Sequence, residues 1–291
     1  MSPLGYTKTM NFADLYLVSD KLRHIEQGLV DKLEGRLGFP LPAGYADFVT
    51  TLGIGTYCGL LRVYEPQRIL DELEKECNRR DESYRGSAAP LVWTGHEFES
   101  WDEQYFWEAG LEVLSKEQIL SSILFADTID GDNIIFNPDI PDRLFVLPRD
   151  DDSIYWVPES FKNPLLWRSQ KGIVRRPPEF RYFESWRDRA CVELFTALKT
   201  FELSDLAQRF TDRWSDSEIH TSDLQHLAEE EDADQLMFVF IKAIGGRVQL
   251  DKGADDGRVS IRIDYDADGA GQVDQFVQTL QGLGFYETFR Y

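Results

Sequence analysis

Apolar residues recur near the start of the chain at the spacing of an amphipathic helix. Between residues 12 and 37 they stand mostly three or four positions apart, with charged residues between them: Leu15, Leu22, Ile25, Leu29, Leu33 and Leu37. This spacing predicts a helix that starts with Ser19 or Asp20 as its cap and ends at Gly38.

The stretch from Leu41 to Pro66 is the one around which the neighbouring segments are organised. Tyr45, Phe48, Val49 and Leu52 form one apolar face of a short helix after Pro42. Gly53, Gly55 and Gly59 follow where the chain must reverse, and residues 60–64 read as a buried strand. We therefore expect a helix, a glycine elbow and a strand in succession, with the elbow seating the helix on a sheet. A second helical pattern follows at 67–80.

A meander of strands is predicted in the middle of the chain. Residues 123–126 and 133–136 flank Asp130-Gly131, a strong hairpin turn, and two further apolar runs occupy 144–147 and 154–157. Ser115 and Gln118 have the spacing of a capping box. Local connections of this kind predict an antiparallel sheet.

The pattern changes near Thr200. We expect a helix at 183–199, which carries Trp186, and a domain boundary after it, so that the domains are 1–199 and 200–291. The second, smaller α+β domain is predicted from helical patterns at 204–214, 222–230 and 272–280, a buried helix at 235–244, and strands at 247–250, 258–265 and 285–289.

Charge narrows the classes of partner. The chain has 291 residues, of which 52 are acidic and 31 basic, so its net charge is −21. The negative electrostatic potential from this charge disfavours direct binding to nucleic acid or to an anionic membrane, and it favours a basic protein partner. The same charge would also serve solubility alone. No apolar run is long enough to span a bilayer and the N-terminal residues lack a signal-peptide pattern, so we expect a cytoplasmic protein.

No catalytic constellation stands out, and we expect neither an enzyme nor a cofactor. Asp127, Asp130 and Asp132 are the best candidates for a metal or acid–base site, but a tight hairpin selects the same residues. The series Asp264-x-Asp266-x-Asp268-Gly269 resembles half of a calcium loop; it lacks the closing glutamate, which favours an acidic turn.

An aromatic and acidic segment is the candidate partner-binding site. In residues 93–107 aromatic residues lie among carboxylates, a composition typical of a protein interface with aromatic anchors and a charged rim. The alternative is that the rings cover one face of the sheet while the carboxylates face solvent. The candidate residues, together with two from the hairpin turn, are Trp93, Glu97, Glu99, Trp101, Asp102, Glu103, Asp130 and Asp132.

The amphipathic helix at 20–37 is followed by Leu41-Pro42 and its short helix, and then by the glycine turn and strand at 53–64. A Gly-Asp-containing hairpin follows at 125–136, and the predicted helix with Trp186 closes this part of the chain. Together these features resemble the SUKH superfamily, the group that includes Smi/Knr-like cell-wall regulators and bacterial immunity proteins. The resemblance covers about residues 20–198. It implies an α+β fold with a largely antiparallel sheet flanked by helices, and a protein that binds and neutralises a toxin, often a nuclease. It implies no catalytic residues.

The function expected from the sequence is therefore that of a noncatalytic protein-binding module, an immunity protein whose partner is a toxin, for example a basic nuclease. Two alternatives stay open: a metal-dependent hydrolase that uses the acidic cluster at 127–132, and a regulatory scaffold whose partner site lies in residues 200–291. The sequence does not indicate an oligomeric state.

Overall fold

The chain combines helices with two mostly antiparallel sheets. The computed structural model describes residues 12, 15–83, 113–115, 118–119, 121–129, 131–141, 143–149, 153–157, 181–186, 188–196, 201–221, 235–253 and 257–291. Within these residues the helices are α1 Gln27–Leu37, α2 Tyr45–Thr51, α3 Pro66–Ser83, α4 Leu203–Arg213 and α5 Ala270–Gly282. The strands are β1 Tyr16–Leu17, β2 Gly55–Tyr57, β3 Leu61–Val63, β4 Ile123–Thr128, β5 Asn133–Phe136, β6 Leu144–Leu147, β7 Tyr155–Val157, β8 Tyr182–Ser185, β9 Ala190–Thr196, β10 Ser217–Thr221, β11 Gln235–Ile241, β12 Gly246–Lys252, β13 Val259–Tyr265 and β14 Tyr286–Arg290. The predicted α+β class is confirmed at this level.

Contacts divide the chain into two compact units. The first unit comprises Met1–Leu15 and Arg23–Pro177, and the second comprises Tyr16–Leu22 and Pro178–Tyr291. A segment from near the start of the chain thus belongs to the second unit. The boundary after residue 199 remains a prediction about independently folding domains.

The helices that open the first unit carry their apolar residues inward. Helix α1 buries Val30 and Leu33, and it ends at Gly38, which adopts φ +77° as predicted. Its predicted start at Ser19 or Asp20 is wrong: the helix begins at Gln27, and the Ser19 side chain instead donates a hydrogen bond to Asp266 in the second unit. Helix α2 was predicted correctly and buries Tyr45, Phe48 and Val49.

The glycine elbow follows α2 and holds two backbone segments together. Gly53 has φ +82°, and a Cβ on it would lie 2.1 Å from the carbonyl oxygen of Arg23. That same oxygen accepts a hydrogen bond of 3.2 Å from the Ile54 N–H. Gly53 is therefore required both by its left-handed backbone and by the close approach of Arg23. Gly59 also has a positive φ, whereas Gly55 simply begins β2.

The predicted meander forms the sheet of the first unit. Strands β2 to β7 lie side by side in chain order, and each neighbouring pair is antiparallel. Gly131 takes a positive φ in the predicted turn between β4 and β5. The sheet's largest buried side chains include Phe125, Phe136 and Phe145, and the Tyr45 ring of α2 lies 6.2 Å edge-on from that of Phe125. Helix α2 thus packs on the sheet, as predicted.

The second unit is built on a six-stranded antiparallel sheet in the order β10-β11-β12-β13-β9-β14. Helices α4 and α5 contribute to one apolar core with one face of this sheet, which explains why β13 alternates between buried and more exposed positions. At the centre of the core, Phe276 of α5 contacts the rings of Phe210 and Trp214 at 4.6 and 5.1 Å. Strands β1 and β8 of this unit pair in parallel.

Two predicted helices are strands. The described part of residues 183–199 carries β8 and β9, so the predicted helix with Trp186 is wrong. Strand β9 lies between β13 and β14. The predicted buried helix at 235–244 is β11 followed by a short 3-10 turn at Lys242–Ile244. Both segments are apolar enough to be buried in either conformation, and pairing with neighbouring strands decided the outcome.

The remaining predicted elements of the second unit agree with the structure. Helices α4 and α5 and strands β12, β13 and β14 overlap the predicted segments. The predicted helix at 222–230 lies outside the described residues. In the part of the chain that the structure describes, no helix has the length and apolar character needed to cross a membrane.

Candidate functional site

Most of the predicted partner-binding residues lie outside the described residues: Trp93, Glu97, Glu99, Trp101, Asp102, Glu103 and Asp130. The structure places only Asp132. Its side chain is buried, and its two carboxylate oxygens accept hydrogen bonds from Thr128 Oγ1 at 3.0 Å and the Arg149 N–H at 3.2 Å. Asp132 therefore stabilises the turn between β4 and β5.

Asp127 has different partners from Asp132. Arg62, which is its cross-strand neighbour on β3, donates two hydrogen bonds to it, at 2.6 and 3.0 Å, and Tyr64 Oη donates a third at 2.8 Å. Burial, and then the Asp127 carboxylate, raise the pKa of Tyr64 above its ordinary value, so the phenol stays protonated and remains a donor. Among the described residues no group of three or more histidine, cysteine, aspartate or glutamate side chains could hold a metal ion.

The aspartates of the predicted acidic turn pair with cations. Asp264 lies 3.1 Å from Arg262 and 3.8 Å from Arg247, while Asp268 is bridged to Lys21. Asp266 is the most buried of the three and approaches Arg189 at 3.8 Å. Arg189 in turn is bridged to Glu184, which also lies 3.3 Å from Arg247.

This set of ion pairs, which we call the buried ion cluster (Glu184, Arg189, Arg247, Asp264 and Asp266), connects three segments of the second unit. The side chain of Arg189 is only 9% exposed and that of Asp266 only 5%. Charges that are removed from water to this extent are stable only when each has an opposite partner. The cluster thus explains the Asp264–Asp268 series as structural ion pairing.

Cys191 lies beside the cluster on β9. It is buried, and burial followed by the nearby Asp264 carboxylate raises the pKa of the thiol to about 11. Because the thiolate is the nucleophile, this thiol is unreactive at neutral pH.

The most concentrated exposed apolar surface among the described residues lies at the end of the chain. Tyr286 is 51% exposed, Phe289 49% and Tyr291 73%, and the rings of Phe289 and Tyr291 are 6.3 Å apart. Phe195 on the adjacent strand β9 contacts the Tyr286 ring at 5.5 Å. We call these four residues the edge patch, because β14 is the last strand of its sheet.

A β-bulge places the aromatic residues of β14 on one face. Tyr286 pairs with Phe195 and Phe289 with Glu193, and the register shifts between Glu287 and Phe289. Residues 286 and 289 would face opposite sides of a regular strand, because side chains alternate. The extra residue, Thr288, restores Phe289 to the face that carries Tyr286 and Phe195, which is the face opposite the helices.

The edge patch was not identified from the sequence, although the strand that carries it was. Aromatic residues at 286, 289 and 291 have spacings of three and two, which match neither a helix nor a regular strand. That irregular spacing is the signal of a bulge, but only the pairing with β9 shows which residue is extra.

Comparisons with protein-family models, curated proteins and solved structures found no match to the chain.

Proposed function

We propose that the chain is a noncatalytic protein-binding module, and specifically an immunity protein that binds and neutralises a basic toxin, for example a nuclease. The observation that carries the proposal is the edge patch. Three large aromatic side chains lie exposed on β14 and the residue that follows it, in a chain with a net charge of −21. Aromatic anchors are the residues that dominate the binding energy of protein interfaces.

Charge supports a basic partner. A field of this size would speed the encounter with a positively charged surface and would repel nucleic acid. Several described carboxylates of the two candidate metal clusters already have structural partners, Asp127 with Arg62 and Asp266 with Arg189. Carboxylates that are paired with arginines in this way are poorly suited to bind a catalytic metal ion, so these contacts favour binding over hydrolysis.

The first unit supports a relationship to the SUKH superfamily as part of the proposal. The supporting features are a helix, a second helix after Leu41-Pro42, a glycine turn and strands, in the order that the resemblance implies. The helix with Trp186 that the resemblance places at the end is not among them, because strands β8 and β9 lie there. The proposal includes a cytoplasmic location, where an immunity protein would meet its toxin.

The test is complex formation with the product of a neighbouring toxin gene. We expect the purified chain to bind that toxin, to protect cells that express it, and to lose affinity as salt is raised, because part of the attraction is electrostatic. Binding to the toxin without any protection would reject neutralisation. Absence of both would reject the immunity reading.

A regulatory scaffold is the second candidate, and the position of the edge patch favours it. The patch lies on β9 and β14, so a partner site in the C-terminal part of the chain is available. Deletion of residues 200–291 would also remove the strands on both sides of β9, so a point change is the cleaner test. A scaffold predicts that Phe289→Ser releases a partner that has no toxic activity, and an immunity protein predicts that it releases the toxin.

A further inference from the structure

Among the described strands, β14 lies at an edge of its sheet and directs backbone groups of Arg290 away from its neighbour β9. Within the described residues β14 pairs with β9 and with no other strand. The N–H groups of Tyr291 and Cys191 each donate to the other residue's carbonyl at 3.0 Å, so these two residues form a hydrogen-bonded pair. Since alternate residues of an antiparallel strand point their backbone groups in opposite directions, Arg290 directs its N–H and C=O away from β9.

The two faces of this edge differ in chemistry. The face opposite the helices carries Tyr286, Phe289 and Tyr291. On the face toward α5, Arg290 donates hydrogen bonds to both Glu287, at 2.9 Å, and Asp274. Two carboxylates thus share one guanidinium, and the Asp274 side chain is 52% exposed. The hydrogen bonds from Arg290 lower the pKa of Glu287, which keeps the excess negative charge at neutral pH.

We propose that the β14 edge binds an extended segment of a basic protein as an added strand, one in which apolar and Lys or Arg residues alternate. The inference rests on the proposed binding function and names the site and its ligand. An added strand would pair with the backbone of Arg290, place its apolar side chains on the three aromatic rings, and direct its cations toward Glu287 and Asp274.

The charge of the chain argues against a second copy as the occupant. Two copies would each bring a net charge of −21, and their mutual repulsion opposes association. A basic segment meets attraction both at long range and at the carboxylates beside the edge. Repulsion between like charges therefore makes a basic segment the favoured occupant, and sedimentation of the unliganded chain tests for a second copy.

The experiment measures binding of the full chain to a fluorescein-labelled peptide of alternating lysine and valine by fluorescence anisotropy. Two control probes are a peptide of alternating glutamate and valine, and a peptide with the lysines in one block and the valines in another. We expect only the alternating basic peptide to bind, and we expect it to slow hydrogen exchange at the Arg290 amide. Equal binding of the glutamate peptide, or binding of none, would overturn the inference.

Point variants locate the site. Phe289→Ser should weaken the basic peptide about tenfold, since it removes an aromatic anchor. Arg290→Pro removes the outward N–H, and it should bind about tenfold more weakly than Arg290→Ala, which keeps the N–H and loses the same side chain. The matched control is Ile219→Ser on β10, the opposite edge of the same sheet, where the side chain is 37% exposed. Equal weakening by this control would contradict the assignment of the site to β14.

Sedimentation of the chain without peptide shows whether a second copy of the chain occupies the β14 edge. A dimer that Phe289→Ser dissociates would identify a second copy as the occupant and would overturn the basic segment. Failure of the proposed β14 site can be distinguished from failure of the proposed immunity function. Toxin binding that is unaffected by Phe289→Ser would overturn this inference and leave the immunity function intact, whereas peptide binding without toxin protection would do the reverse.

Discussion

Replacing Gly53 by alanine should destabilise the first unit, because the elbow leaves no room for a side chain. A Cβ on Gly53 would lie 2.1 Å from the Arg23 carbonyl oxygen, which is far inside van der Waals contact. The left-handed backbone at φ +82° costs a non-glycine residue about 1 kcal/mol. Moving Arg23 away would also weaken its hydrogen bond with the Ile54 N–H, worth about 1 kcal/mol.

Together with loss of packing, these effects should lower the free energy of unfolding by about 2 to 4 kcal/mol. Urea denaturation followed by tryptophan fluorescence measures the change as a lower midpoint. Gly35→Ala is the matched control, because Gly35 lies within α1 and an added Cβ there meets nothing within 4 Å. Alanine should stabilise that position by about 0.5 to 1 kcal/mol. If Gly53→Ala unfolded at the same urea concentration as the unchanged protein, the elbow would not constrain the fold as described.

Three further predictions concern ionisable groups of the second unit. Arg189→Met should lower the free energy of unfolding by about 3 kcal/mol, because it removes the buried cation that Glu184 and Asp266 share. Arg262→Met, which removes a half-exposed partner, should cost less than about 1 kcal/mol in the same urea titration. Cys191 should react with iodoacetamide at pH 8.5 about a hundredfold more slowly in the folded chain than in urea, because its pKa of about 11 keeps it protonated. Rapid alkylation of the folded chain would contradict this prediction. The contribution of the protonated thiol to stability is present below about pH 8.5 and is lost as the pH rises toward 11. Because the pKa of Glu287 is lowered, its pairing with Arg290 stabilises the chain above about pH 4.3, and this stabilisation is lost as the pH falls below that value. The difference in urea midpoint between Glu287→Gln and the unchanged chain should therefore shrink on acidification. A difference that stays constant with pH would contradict the pairing.

The sequence was sufficient to predict those elements whose local signals agree with one another. Around Asp130-Gly131 the turn residues and the flanking apolar runs both indicate a hairpin, and β4 and β5 form one. Ser115 and Gln118 form the predicted capping box, with each side chain bonded to the other residue's N–H. At Gly38 the predicted helix end coincides with a left-handed residue.

Conflicting local signals led to the errors. In residues 183–199, Trp186, Ala190 and Leu194 have helical spacing, but Ala190, Val192 and Leu194 also alternate as in a strand. Antiparallel pairing of β9 with β13 and β14 decided between the two, and that pairing involves residues far away in the sequence.

The candidate site was predictable only in part for the same reason. Local sequence indicated a strand at 285–289, but the face of each aromatic residue depends on the bulge opposite β9. The partners of Asp266 likewise come from Ser19, Lys21 and Arg189, which no local pattern associates with an acidic turn.

The pairing of β1 with β8 has a consequence for biosynthesis. Tyr16 and Leu17 are translated long before the strand against which they align, in which Tyr182 lies opposite Tyr16. The last strand of the same unit, β14, ends one residue before the final residue of the sequence given. A nascent chain can therefore form the meander of the first unit before the final strand of the second unit has been synthesised. Any chain that terminates before Tyr286 would lack β14 and would expose β9 as an unpaired edge strand.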